Sequence, residues 1–206
     1  MQRILLVILV LLTLLVFWHM TKPEPPMTDL QAEQQTWEQF WVNNLEPQLP
    51  VAATFSLPLF PPDGVGAYVK RSFREKQNLG EDWDLEPGRS EKNPTVHVVA
   101  DGLVILSDDF GAVWGKVVIV LHRMPNGAPW PAVESMYANL QSLQVHKGDM
   151  VAKGQVIGEL GSTPVSIAPE LHFEIRTELG HMLGPGEADL AEGWANPTKF
   201  IEEHKN

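Results

Sequence analysis

The chain has 206 residues, with 17 Pro, 16 Gly and no Cys, and it sets 15 Lys+Arg against 26 Asp+Glu for a net charge of -11. Such an acid excess excludes a nucleic-acid ligand, whose phosphates demand a basic face. The lack of Cys excludes disulfides, thiolate metal sites, thiol nucleophiles and a lipid-anchored N-terminal Cys. Hydrophobic content of 44% with 20% charged residues suits a globular protein with a true core.

From Ile4 to Trp18 every residue is apolar except Thr13, and Arg3 with the terminal amine precedes the run. This pattern predicts a signal anchor over residues 1–22. Phe17, Trp18, His19 and Met20 offer no small-residue cleavage triplet, so the segment is expected to remain as a single-pass transmembrane helix touching lipid through residues 4–20. Basic charge ahead of the run puts the N-terminus in the cytoplasm and the body outside the membrane.

Residues 23–58 form a second region. Lys22 to Met27 reads as a stiff Pro-rich spacer. Thr28 with Gln31 gives a capping-box signature. Leu30, Trp37, Phe40, Trp41 and Leu45 then fall at helical spacing and predict a short amphipathic helix, which Pro47 and Pro50 end.

Residues 59–203 are patterned as a mainly β domain. Val96–Leu106, Lys116–His122, Met136–Leu140, Met150–Leu160 and Glu170–Thr177 are short apolar or alternating runs separated by Gly and Pro. Three polar stretches, 84–93, 123–134 and 180–193, read as loops that would wall a groove. Trp130 and Trp194 in them are expected either to contact a glycan or partner, or simply to pack.

Seven blocks occur in order: Asn78-Leu-Gly-Glu-Asp82-Trp83, His97-Val-Val-Ala-Asp101-Gly102, Gly115-Lys-Val-Val-Ile-Val-Leu-His122, Tyr137-Ala-Asn139-Leu140, Val145 to Gly158 with its G-D-x-V-x-x-G-Q core, Pro169-Glu170-Leu171-His172-Phe173-Glu174, and Asn196-Pro197 with Phe200. Together they resemble the lysostaphin-type, or LytM, zinc endopeptidases of bacterial peptidoglycan. The G-D-x-V-x-x-G-Q stretch alone also suits lipoyl and biotinyl carrier domains. Those need a modified Lys in a hairpin, flanked by Met or Asp, which is absent here.

The resemblance implies a compact β-sheet domain with an open groove, in the envelope of a bacterium and tethered to its inner membrane. It also implies a zinc ion held at positions Asn78, Asp82 and His172, with catalytic partners at Asn139 and Glu170. Asp82 and His172 match the family pattern, whereas Asn78, Asn139 and Glu170 each replace a histidine. An amide at Asn78 is a weak zinc donor, and Asn139 cannot exchange a proton near neutral pH. Glu170 is open to three roles: general base, substitute ligand or solvated charge. His97, Tyr137 and Trp130 are candidate groove residues, His97 with the further possibility of rescuing a metal site. His122 reads as structural, and His146, His181 and His204 as surface.

The expected function is binding by a degenerate domain without a cofactor. Its partner would be peptidoglycan, a cell-wall hydrolase that it activates, or both, because non-catalytic members of the family act as amidase activators. The alternatives are a zinc-dependent peptidoglycan endopeptidase with a rewired site and a purely structural envelope scaffold.

Overall fold

The computed structural model describes residues 46–59, 66–85, 94–162, 169–180 and 183–205. The anticipated anchor, the Leu30–Leu45 helix, most of the 84–93 loop and His181 lie outside the described residues. Among the described residues no helix is long and apolar enough to cross a membrane.

The mainly β architecture expected from the patterning is found. Strands β1 (Ala67–Arg71), β2 (Glu81–Leu85), β9 (Leu171–Arg176), β6 (Ala132–Leu143), β5 (Lys116–Arg123), β4 (Gly102–Asp109) and β7 (Met150–Val151) lie side by side in that spatial order. Off this path β10 (Trp194–Ala195) pairs with β9, and β3 (Thr95–His97) pairs with β8 (Val156–Leu160), which also meets β6. Every pairing is antiparallel. The runs Val96–Leu106 and Met150–Leu160 each resolve into two strands, because turns at 98–101 and 152–155 interrupt them. Gly154 in the second turn has φ 81°, a conformation open to glycine.

The main core lies on one face of the sheet and gathers Val118, Val120, Tyr137, Leu171, Phe173 and Ile175. Val117, Ile119, Met136 and Ala138 form a smaller cluster with Trp114 of α1 (Gly111–Trp114). Both parities of β5 are therefore buried, which is why its sequence reads as an unbroken apolar run instead of alternating. Ala52, Phe55 and Leu59 enter the main core as well, so packing begins upstream of position 59. The helix α2 (Pro197–Glu203) closes the core with Phe200 and Ile201. Its Asn-Pro start is a cap: the Asn196 side chain accepts from Lys199 N at 2.8 Å, and Pro197 supplies the first turn without wasting a donor.

Beneath the sheet runs a buried relay. His122 Nδ1 lies 2.9 Å from the carbonyl of Asp101 and must donate to it, so Nε2 is an acceptor and takes the Ser135 hydroxyl proton at 2.7 Å. The Tyr137 hydroxyl, 2.9 Å from Ser135 Oγ, accepts in turn from Val99 N. His122 is thus structural, as its place in the sequence suggests. Burial drives its pKa down to about 4.

Two measurements test this packing. A Cβ on Gly80 would stand 2.4 Å from the carbonyl oxygen of Phe173 on the neighbouring strand. Gly80→Ala is therefore expected to push β2 off β9 and to cost about 1–3 kcal/mol, read from the urea midpoint. For His122 the folded pKa lies below the ordinary 6.5, so its contribution is present above pH 6.5 and lost as pH falls through about 4. Unfolding free energy should decline by up to roughly 3 kcal/mol across that window, and His122→Gln should flatten the decline.

Candidate active site

The strand register builds the site. Arg71 of β1 stands opposite Asp82 of β2, Asp82 opposite His172 of β9, and His172 opposite Ala138 of β6. Opposed residues share a face, so one row across four strands sets these side chains together. Asp82 Oδ1 lies 2.7 Å from His172 Nδ1, and Asp82 Oδ2 accepts from Arg71 Nε at 2.5 Å. Glu174 follows His172 by two residues on the same face and meets its Nε2 at 2.9 Å. The other Glu174 oxygen accepts from Arg176 Nε and Trp194 Nε1, each at 2.7 Å. At the outer end Arg71 Nη1 reaches Glu187 at 2.5 Å. The result is a chain of alternating charge, Glu187–Arg71–Asp82–His172–Glu174–Arg176, running from solvent into the protein.

Each charge is set by its neighbours. Burial pushes the His172 pKa down, but hydrogen bonds to Asp82 and Glu174 outweigh it and raise the value to about 9. His172 is accordingly an imidazolium that donates from both nitrogens. Burial also works against the carboxylates. The Arg176 charge and the His172 and Trp194 bonds nevertheless hold Glu174 down at about 2. His172 and then Arg71 keep Asp82 below the usual carboxylate range.

Above this row opens a cleft of about 550 Å³ whose lining includes Lys70, Arg71, Asp82, Asn139, Glu170 and His172. Val113 and Trp114 form its apolar side, and the Trp114 ring meets the His172 imidazole edge-on with centroids 5.5 Å apart. Lys70 and Arg71 are adjacent in sequence and would face opposite ways in a regular strand. A bulge between Val69 and Arg71 lets both line the cleft. Lys70 Nζ then reaches Glu170 at 2.7 Å, a contact that raises the lysine's pKa.

The structure brings Asp82, His172, Asn139 and Glu170 to one cleft. Asn139 sits at φ 64°, a left-handed conformation that Asn tolerates, and is 7% exposed. Asn78 departs from the expectation. It is fully buried and absent from the cleft lining, because Glu187 bridges to its backbone and Leu79 N donates to Gly186 O across it. Its Oδ1 accepts from Gly80 N at 3.3 Å, while Nδ2 has no partner among the described residues.

The three candidate groove residues require correction. Tyr137 lies one residue off the His172–Ala138 row, so its ring points to the opposite face, fully buried and 5.3 Å from Phe173. His97 stands on β3, which pairs with β8 away from the cleft, and its ring bonds Thr95 and the Gly154 carbonyl. Trp130 packs near Phe200, with ring centroids 6.2 Å apart. Trp194 is occupied in holding Glu174. His146 is exposed as expected, but His204 is half-buried and stacks on Phe200 at 4.2 Å. Sequence reasoning missed Lys70, Arg71, Glu174 and Arg176. The signal for the first two was a pair of bases ending a Tyr-Val strand just ahead of the Asn78–Asp82 block.

The implied zinc does not fit this donor set. Both His172 nitrogens face carboxylates, and Asp82 is held between His172 and the Arg71 guanidinium, so neither side chain is turned to a shared metal position. The third position is a buried neutral amide already accepting a backbone proton. Among the described residues no three His, Cys, Asp or Glu side chains gather in a metal-holding group.

Arg176 is fully buried, and Glu174 pairs with it and with His172. Glu174→Leu leaves two buried cations facing each other across the vacated position. The expected cost is about 3–5 kcal/mol, checked by chemical unfolding.

Comparison with known proteins bears on the family and the fold. The DD-carboxypeptidases/endopeptidases Mpg of Neisseria meningitidis and Neisseria gonorrhoeae are each 35% identical over 97 residues, 46% of this chain and 20% of theirs. The match thus spans about a fifth of the length of these curated relatives. Among solved structures, a chain of the SpoIIIAH–SpoIIQ complex superposes with TM-score 0.51 at 22% identity, covering 71% of this chain and 99% of that one. A putative peptidase M23 from Pseudomonas aeruginosa gives TM-score 0.52 at 22% identity, covering 82% and 60%. These two establish the likeness of fold. The model of peptidase family M23 matches residues 77–185, more than half of the sequence, and the chain belongs to that family.

Proposed function

We propose that this protein is a membrane-anchored envelope component whose M23 domain works by binding and not by hydrolysis. Its cleft docks a cell-wall hydrolase, switches it on and presents it to peptidoglycan. One observation carries the reading: among the described residues every side chain in the cleft that could activate water is already paired. Asn139 has no basic nitrogen, both His172 nitrogens are bonded to carboxylates, and the Glu170 carboxylate is paired with Lys70. A peptidase needs a proton acceptor within reach of the attacking water, and the groups present are committed to one another.

The family relatives support a link to the wall, since the Neisseria proteins carry carboxypeptidase and endopeptidase names. The SpoIIIAH–SpoIIQ complex supports the platform role, since a chain with this fold is found there in a protein assembly. Val113, 66% exposed beside Trp114, gives the cleft an apolar lip where a partner segment can settle against a strongly charged floor. Residues 4–20 would hold the domain at the outer face of the bacterial inner membrane, in the periplasm. A body this acidic gains nothing from anionic lipid and depends on that anchor.

The test uses the full chain in detergent with dye-labelled peptidoglycan. Alone, it should release no dye, with or without added zinc. A purified wall amidase from the same cell should release dye faster when the chain is present. Zinc-dependent, chelator-sensitive release by the chain alone would overturn the proposal in favour of a rewired endopeptidase. No effect on any purified wall hydrolase of that cell would overturn it in favour of a scaffold.

A further inference from the structure

We infer that Arg71 is a built-in replacement for the metal: its guanidinium neutralises the carboxylate that a zinc ion would use, and so keeps divalent cations out of the cleft. The inference deepens the binding reading and rests on it, because it explains how the cleft keeps its shape without a metal.

Three observations converge on Arg71. First, it faces Asp82 directly in the strand register and holds Oδ2 at 2.5 Å, while His172 holds Oδ1 at 2.7 Å. The carboxylate that is a ligand in the family pattern is thus held on both oxygens by protein side chains, one of them a guanidinium. Second, the β-bulge between Val69 and Arg71 turns two consecutive bases into the cleft, so Lys70 covers Glu170 as Arg71 covers Asp82. One local irregularity thus supplies a positive charge to both acidic positions, and bulges beside functional sites commonly re-aim side chains in this way. Third, Arg71 is fixed from its other side by Glu187 at 2.5 Å, and Glu187 belongs to the backbone bridge that covers Asn78. The same guanidinium joins the acidic ligand position to the segment sealing the amide position.

A dication entering this cleft would have to displace the guanidinium from Asp82 and would meet a second fixed positive charge at Lys70. Like charges in a partly buried site repel more strongly than in water, which opposes binding. Replacement of Asn78 by a good ligand is therefore not sufficient to restore a metal centre.

The experiment measures zinc stoichiometry and affinity on the full chain by competition with a chromogenic chelator. Asn78→Asp, close to the native side chain in size, and Asn78→His each restore a metal-binding side chain at the third family position. With Arg71 in place both are expected to hold no stoichiometric zinc at micromolar free metal. Adding Arg71→Gln should tighten zinc binding about tenfold or more in either background. If Gln weakens the fold, Arg71→Met, which keeps the packing of the stem, carries the same expectation. Stoichiometric zinc on Asn78→Asp or Asn78→His with Arg71 unchanged would overturn the inference, as would unchanged affinity after Arg71 is neutralised. Stoichiometric zinc on the unaltered chain would overturn the inference as well, whereas the binding reading fails separately, if the chain alone releases dye from peptidoglycan or alters no wall hydrolase.

Discussion

The cleft depends on a single chain of alternating charge laid across the sheet. His172 stays protonated because Asp82 and Glu174 flank it, and those carboxylates stay ionised because Arg71, His172 and Arg176 face them. Each member was taken from water at a cost of several kcal/mol, and the cost is offset only while its partners are in place. A fully satisfied network of this kind fixes one arrangement of its strands, whereas a partly satisfied one is worse than an apolar core. The register of β1, β2, β9 and β6 and the charge chain therefore specify each other. A slip of one residue in any pairing would turn that strand's charges onto the apolar face.

Around this row, the features that give the cleft its chemistry are local departures from regular strand. The bulge in β1 delivers two cations where a regular strand would deliver one. Asn139 bends β6 through a left-handed conformation and places its amide in the cleft. The absence of a side chain at Gly80 lets β2 approach the Phe173 carbonyl, and so lets Asp82 reach His172. None of these alters the order of strands, and together they decide what the cleft presents.

That division explains what could be read from the sequence. Long-range order was legible because each block carries its own local reason: the Asn196-Pro197 cap starts α2, and the glycines at 148 and 154 turn the chain between short strands. The meeting of Asp82 and His172 was legible through the resemblance. Tyr137 was misplaced because facing in a strand depends on parity relative to a partner strand, which a single sequence does not display. Its position beside Asn139 suggested the groove, yet the positive φ at Asn139 breaks the alternation between them. His97 and Trp130 were misplaced for a related reason, since their neighbours are set by the off-path pairing of β3 and by α2 packing. Arg71 and Lys70 were missed because two adjacent bases read as a solvated strand end unless the bulge is known.

Persistence of Asp82 and His172 invites the conclusion that a metal was kept, and the physics of the row argues otherwise. Both side chains are at most 8% exposed; His172 is tied to the buried Glu174, and Asp82 to the half-buried Arg71. Loss of either would take one counter-charge from its partners in the row, so the sheet depends on the pair whether or not a cation is ever bound. For the same reason, a variant at Asp82 or His172 that loses partner binding does not identify a metal site, since it also dismantles the floor of the cleft. The positions that separate the two readings are Asn78, whose amide makes one long bond, and Arg71, whose guanidinium holds the carboxylate that the family pattern assigns to a metal. Discrimination between an enzyme and a platform thus depends on one matched position and on β1, a strand that lies ahead of the family match at residues 77–185.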